Sequence, residues 1–139
     1  MRKILIGAAG FLVLTACGES AEVSLNKTCN AVMADPDVQR DILEASISAG
    51  DYCACTSKQI LALPDTARDT TISTLETMET LMAEHNGSAE AAFRALSEAR
   101  RADDATPEAE AAYKRMDDLG EQLEDYLDSM RAAGGACPI

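Results

Sequence analysis

The chain has 139 residues and carries 24 acidic against 12 basic side chains, for a formal charge of −12. A surface of that sign repels nucleic acid and anionic lipid headgroups and draws cationic partners, so nucleic-acid binding is excluded as a function class. With two phenylalanines, three tyrosines and no tryptophan, the core is thin and alanine-rich, and a chain of this size profits from covalent staples.

Arg2 and Lys3 form a basic start, residues 4–14 an apolar run, and Thr15-Ala16 a pair of small residues before Cys17. This is the layout of a secretory signal over residues 1–16. The run falls short of the roughly 20 apolar residues that a spanning helix needs, and Gly7 and Gly10 interrupt it. Leu14-Thr15-Ala16-Cys17 resembles the lipobox of bacterial lipoproteins. That resemblance implies a diacylglycerol joined to the Cys17 sulfur, cleavage just before it, and acylation of the new amino group. The covalent lipid is then the only non-protein group expected, with no separate cofactor. Each buried CH₂ adds about 0.8 kcal/mol, so several chains make a lasting anchor. Gly18, standing where an aspartate would retain a lipoprotein at the inner membrane, implies sorting to the outer membrane, facing the periplasm. The expected organisation is a signal peptide at 1–16, a lipidated tether at 17–22 and a helical domain at 23–139. Loss of the signal leaves 123 residues with 10 basic and 24 acidic side chains, a charge of −14.

The mature part shows helical spacing almost throughout and no sustained strand alternation. Leu25, Cys29, Val32 and Met33 share one face of a first helix ending near Asp35. Asp35-Pro36 reads as N-cap and first helical position of a second, with Val38, Ile42 and Ala45 inward. Gly50-Asp51 is expected to end it and cap a third helix from about Tyr52 to Ala62, which Pro64 stops. Asp65 or Thr66 is expected to cap a fourth, with Ile72, Leu75, Met78, Leu81 and Met82 on its apolar side and Asn86-Gly87 as terminator. Ser88 opens a fifth around Phe93 and Leu96. Thr106-Pro107-Glu108 opens the longest, whose Ala109, Ala112, Met116, Leu119, Leu123, Tyr126, Met130 and Ala133 recur in steps of three and four. Such a seam suits either the inward stripe of a bundle, which is the expectation, or pairing with another helix. Gly134-Gly135 release the chain so that Cys137 can fold back.

The fold expected is therefore an all-α bundle of five to six helices stapled by two disulfides. Setting Cys17 aside for lipid leaves Cys29, Cys53, Cys55 and Cys137, an even number in an exported chain. Cys53 and Cys55 could be redox partners, metal ligands or separate staples. On a helix they point about 160° apart, badly placed to bond each other and well placed to reach different neighbours. Three connectivities exist in principle; Cys29 with Cys53 and Cys55 with Cys137 is the one expected. A thiol-exchange pair would want a cation beside it, and Asp51 has the wrong charge.

Met78, Met82 and His85 fall at i, i+4 and i+7 on one helix face, a soft ligand set of the kind that selects Cu(I). Methionines also fill helical cores, and a histidine in the last turn complements the helix dipole, so no metal site is the expectation. Asp117, Glu121, Glu124 and Asp128 form an acidic stripe on the last helix that could dock a basic protein, or serve as its solvated face. No loop presents oxygens at EF-hand spacing. His85 is the only histidine and no G-x-S-x-G or H-E-x-x-H motif occurs, so no catalytic residue is expected and the chain reads as a non-enzyme. The function expected is a membrane-anchored, non-catalytic binding role toward a basic protein, of the immunity or inhibitor type in one version, with no oligomeric state implied. Copper handling and thiol-disulfide exchange are the alternatives.

Overall fold

The computed structural model describes residues 19–138, so the signal at 1–16, the lipobox, Cys17 and Gly18 lie outside the described residues. Six helices follow in order: α1 Ala21–Val32, α2 Pro36–Glu44, α3 Ala49–Leu61, α4 Asp65–Glu84, α5 Ala89–Arg101 and α6 Pro107–Ala132. Among the described residues there is no strand, and no helix is long and apolar enough to cross a membrane.

Helix starts follow from short polar side chains at the boundary. Ser20, Asp35, Ser48, Ser88 and Thr106 each accept a hydrogen bond from a backbone N–H two or three residues on, a device worth about 1 kcal/mol apiece. Three starts differ from expectation. Helix α1 begins at Ala21, inside the segment assigned to the tether, because Ser20 caps it through the Val23 N–H. Helix α3 starts at Ala49, because Ser48 caps it and donates its hydroxyl to Asp51 Oδ2 at 2.7 Å. Helix α4 is preceded by Pro64 at the cap, with no side-chain cap bond, so Asp65 and Thr66 are already helical.

Helix α2 stops at Glu44, well short of Gly50. Ser46 takes a left-handed conformation (φ 59°), and the Ile47 N–H reaches back to the Ile42 carbonyl at 3.3 Å. This is a Schellman-type ending whose hydrophobic contact is Ile42 with Ile47, both buried. The same bond pattern ends α4, from Gly87 N–H to Met82 O at 2.7 Å, and α6, from Gly135 N–H to Met130 O at 2.8 Å. At Gly134 and Gly135 (φ 67° and 88°) the left-handed backbone turns the tail around.

That turn brings Cys137 back to α3. Cys55 bonds Cys137 and Cys53 bonds Cys29, spanning 82 and 24 positions of sequence. The two staples leave opposite flanks of one helix, as the helical angle between positions 53 and 55 requires. Gln59 Nε2 donates to the Pro138 carbonyl at 3.1 Å and holds the tail beside its disulfide. Around these staples, α1 is packed on α3 and α4, α5 on α4 and α6, and α3 also meets α2 and α6. Leu25, Val32, Ile42, Ile60, Leu75 and Met130 are among the buried apolar residues that fill the centre.

In the chain-entropy account, the long Cys55–Cys137 loop contributes about 4 to 5 kcal/mol by restricting the unfolded chain. Replacing both cysteines by serine is expected to lower the unfolding free energy, read from urea titration, by about 3 to 5 kcal/mol. An unchanged urea midpoint would show that α3 does not depend on the tail staple.

Candidate functional site

Helix α6 buries Met116, Leu119 and Met130 and half-buries Leu123, Tyr126 and Leu127, so its apolar seam faces the bundle. Ala133, assigned to the same seam, is exposed at the C-cap. Between Met116 and Leu127 the other helices do not cover the seam completely. An open cleft of about 480 Å³ remains there, within the size range of ligand pockets. Its carbon surface comes from Met116, Leu119, Leu123 and Leu127 on α6, Val38 and Ile42 on α2, and Phe93 on α5, with Tyr52 and Met78 from α3 and α4.

Charge in this cleft has one sign. Asp117, Glu121 and Glu124 enter from α6, Asp41 from α2 and Glu90 from α5, and no lysine or arginine among the described residues lines it. Glu90 is paired with Arg94; the other four have no ion pair among the described residues. A smaller recess continues past Val38, Asp41, Ala89 and Glu90, where Arg40 pairs with Asp37 at 3.3 Å.

Polar contacts hold α6 to α3, α4 and α5. The Tyr52 phenol, buried beneath the cleft, donates to the Leu123 carbonyl at 2.7 Å and ties α3 to α6. Burial raises its pKa far above the ordinary value, so it remains a donor at any physiological pH. Thr71 donates to Gln122 Oε1 at 3.2 Å, and Gln122 Nε2 donates to the Tyr126 phenol at 2.7 Å, tying α4 to α6. Arg100 lies 3.7 Å over the Tyr113 ring, whose centroid is 4.8 Å from that of Phe93, and this stack ties α5 to α6.

Asp35 sets the remaining wall. Its Oδ1 accepts from the Asp37 N–H at 2.8 Å and its Oδ2 from the Ala89 N–H at 2.7 Å, so one carboxylate, 5 % exposed, caps α2 and α5 together. Burial alone would raise its pKa, and the N–H groups of Ala89 and Asp37 outweigh it and hold the carboxyl below 3.8.

The other residues singled out in the sequence are not brought to one place. Met82 is buried in the core, Met78 half-lines the cleft, and His85 is the half-buried C-cap of α4. Among the described residues no three His, Cys, Asp or Glu side chains gather as a metal-holding group. Cys53 and Cys55 are each buried in a different disulfide. Of the acidic stripe, Asp117, Glu121 and Glu124 border the cleft, and Asp128 lies beyond it, held by Arg131 at 2.6 Å. Asp41 and Glu90 belong to the site and were not visible from sequence spacing, which relates residues within one helix only; Gly120, on α6 itself, also lines it. No family model, curated protein or solved structure matches this chain.

Because the Asp35 carboxyl is held low, its stabilising contribution is complete above about pH 3.8 and is lost as pH falls through the folded-state value. Asparagine offers one accepting oxygen for two N–H groups. Asp35→Asn is therefore expected to be less stable by about 1 to 3 kcal/mol at pH 7. In chemical denaturation run across pH, the gap between variant and parent is expected to close in acid. A gap that persists at pH 2 would assign it to packing.

Proposed function

We propose that this chain is a lipid-anchored envelope protein that binds a basic protein partner and catalyses no reaction. The observation that carries this reading is the cleft: an apolar floor bordered by carboxylates from three helices, with no basic side chain among the described residues lining it. Apolar contact supplies most of the affinity of such a surface, about 25 cal/mol per Å² buried. Exposed ion pairs add only about 0.2 to 1 kcal/mol each. The carboxylates instead select the sign of the partner and speed its approach.

Attachment through Cys17 is supported by cysteine pairing, because Cys29, Cys53, Cys55 and Cys137 satisfy one another. Two disulfides are also compatible with an oxidising compartment outside the cytoplasm. The lipobox and Gly18 favour the outer membrane with the domain in the periplasm. Val32 and Met33, at the far end of the 12-residue α1, contribute to the cleft. They stand about 18 Å along the helix from the end that joins the tether, a placement suited to a partner arriving from the periplasm. An inhibitor or immunity protein that neutralises a basic toxin is one form of this function.

Two measurements test the reading. In cell fractionation, Cys17→Ala is expected to move the protein from the membrane to the soluble fraction with both disulfides intact; scrambled sulfurs would make Cys17 a structural partner. In capture from envelope extract, the parent is expected to retain a basic protein, more slowly and less completely at about 1 M salt, where the screening length is about 3 Å, than at low salt. A variant with Asp117, Glu121 and Glu124 changed to Gln is expected to retain much less of it. Equal retention by parent and variant contradicts the reading.

A further inference from the structure

Gly120 stands in the middle of α6, with helical sequence on both sides. A glycine inside a helix is less favourable than alanine, and its φ here is not positive, so the backbone does not require it. Nor does packing: a Cβ built at Gly120 meets no atom within 4 Å. The missing side chain instead opens the cleft, which Gly120 lines one turn from Met116, Leu123 and Glu124. A residue without a Cβ lets a second backbone approach closely.

Resting on the binding reading above, we propose that the cleft seats one cationic amphipathic α-helix of the partner, laid along α6 with closest approach at Gly120. The open seam from Met116 to Leu127 runs about 17 Å, or three helical turns. Apolar residues of the incoming helix at i, i+3 or i+4, and i+7 would rest on the half-buried Leu123, Leu127, Val38 and Phe93, with Met116 and Leu119 buried beneath as the floor. Its flanking lysines or arginines would meet Asp117, Glu121 and Glu124 on one side and Asp41 from α2. A helix suits the cleft better than an extended segment, because helices wall it and no strand edge among the described residues offers free N–H and C=O groups. A helix satisfies its own backbone bonds, whereas an extended chain buried there would leave them unpaired. The net charge of −12 disfavours a second copy of this chain as the occupant.

The test uses full-length protein in zwitterionic nanodiscs, with empty nanodiscs as blank. The probe is a labelled 14-residue Leu/Lys peptide with apolar positions at helical spacing. Comparison peptides have the same composition scrambled, or a central proline. Saturable binding of the helical peptide is expected, weakened at least tenfold by scrambling, by proline and by Gly120→Leu. The melting midpoint of Gly120→Leu is expected to equal or exceed that of the parent, and Gly120→Ala to raise it by a few degrees. Equal affinity of Gly120→Leu and parent would overturn the helix-seating proposal, as would equal binding of the scrambled peptide. If the glutamine variant at 117, 121 and 124 still weakens binding in that case, the basic-partner reading stands alone; if it does not, both fail. Displacement of the peptide by dodecyltrimethylammonium at equal concentration would assign the cleft to small cationic amphiphiles and overturn the proposal.

Discussion

Helix α3 carries a disulfide on each flank, and the positions of the other helices follow from it. Cys53 fixes α1 and Cys55 fixes the tail that follows α6, so the two ends of the described chain are anchored to one central rod. A core in which methionine, cysteine and small polar residues such as Thr56 and Ser57 fill much of the space, with Tyr52 as its one fully buried aromatic among the described residues, gives less burial energy than one rich in aromatics. Crosslinks that restrict the unfolded chain offset that shortfall. Tyr52, one residue before Cys53, uses the same rod to hold α6 through the Leu123 carbonyl.

The cleft results from this arrangement. Helix α6 is held from α3 by Tyr52, from α4 by Thr71 and Gln122, and from α5 by the Arg100–Tyr113 stack. Asp35 joins the starts of α2 and α5 through a single carboxylate. Helix α2 has nine residues and α6 has 26, so the shorter helices cannot cover the longer one along its length. Where α6 is only partly covered, at Leu123 and Leu127, its surface is apolar because these residues also pack against the core. It is acidic at its border because the solvated face of α6 begins there. The seam is thus an inward stripe over most of its length, and the partner surface we propose is confined to the segment that borders the cleft.

The helical architecture, the starts of α2, α5 and α6, and the separation of Cys53 and Cys55 into different disulfides were legible because each depends on spacing within one helix or on chemistry at its boundary, whereas the partner each cysteine takes depends on tertiary packing. Asp35-Pro36 and Thr106-Pro107 announce their helices wherever they fold. The α2 ending was not legible: serine at position 46 gives no hint of a left-handed residue, and only the burial of Ile47 against Ile42 explains it. The second role of Asp35 needs the start of α5 brought beside α2, a contact across 54 positions that no local pattern encodes. For the cleft, half of the signal was present in Asp117, Glu121 and Glu124. Asp41 and Glu90 joined them only through tertiary packing. Gly120 was a readable clue, since a glycine amid strong helix formers asks for a reason that the helix itself does not supply.

The central claim is that the open α6 seam is a binding surface for a cationic amphipathic helix. Backbone amide NMR shifts, followed as the Leu/Lys peptide is added to isotope-labelled protein, test it most directly. The account predicts saturable shifts concentrated between Met116 and Leu127 and around Val38 to Ile42. Shifts spread over acidic positions away from the cleft, such as Glu98, Asp103 and Asp104, or no saturable shifts at all, would contradict it.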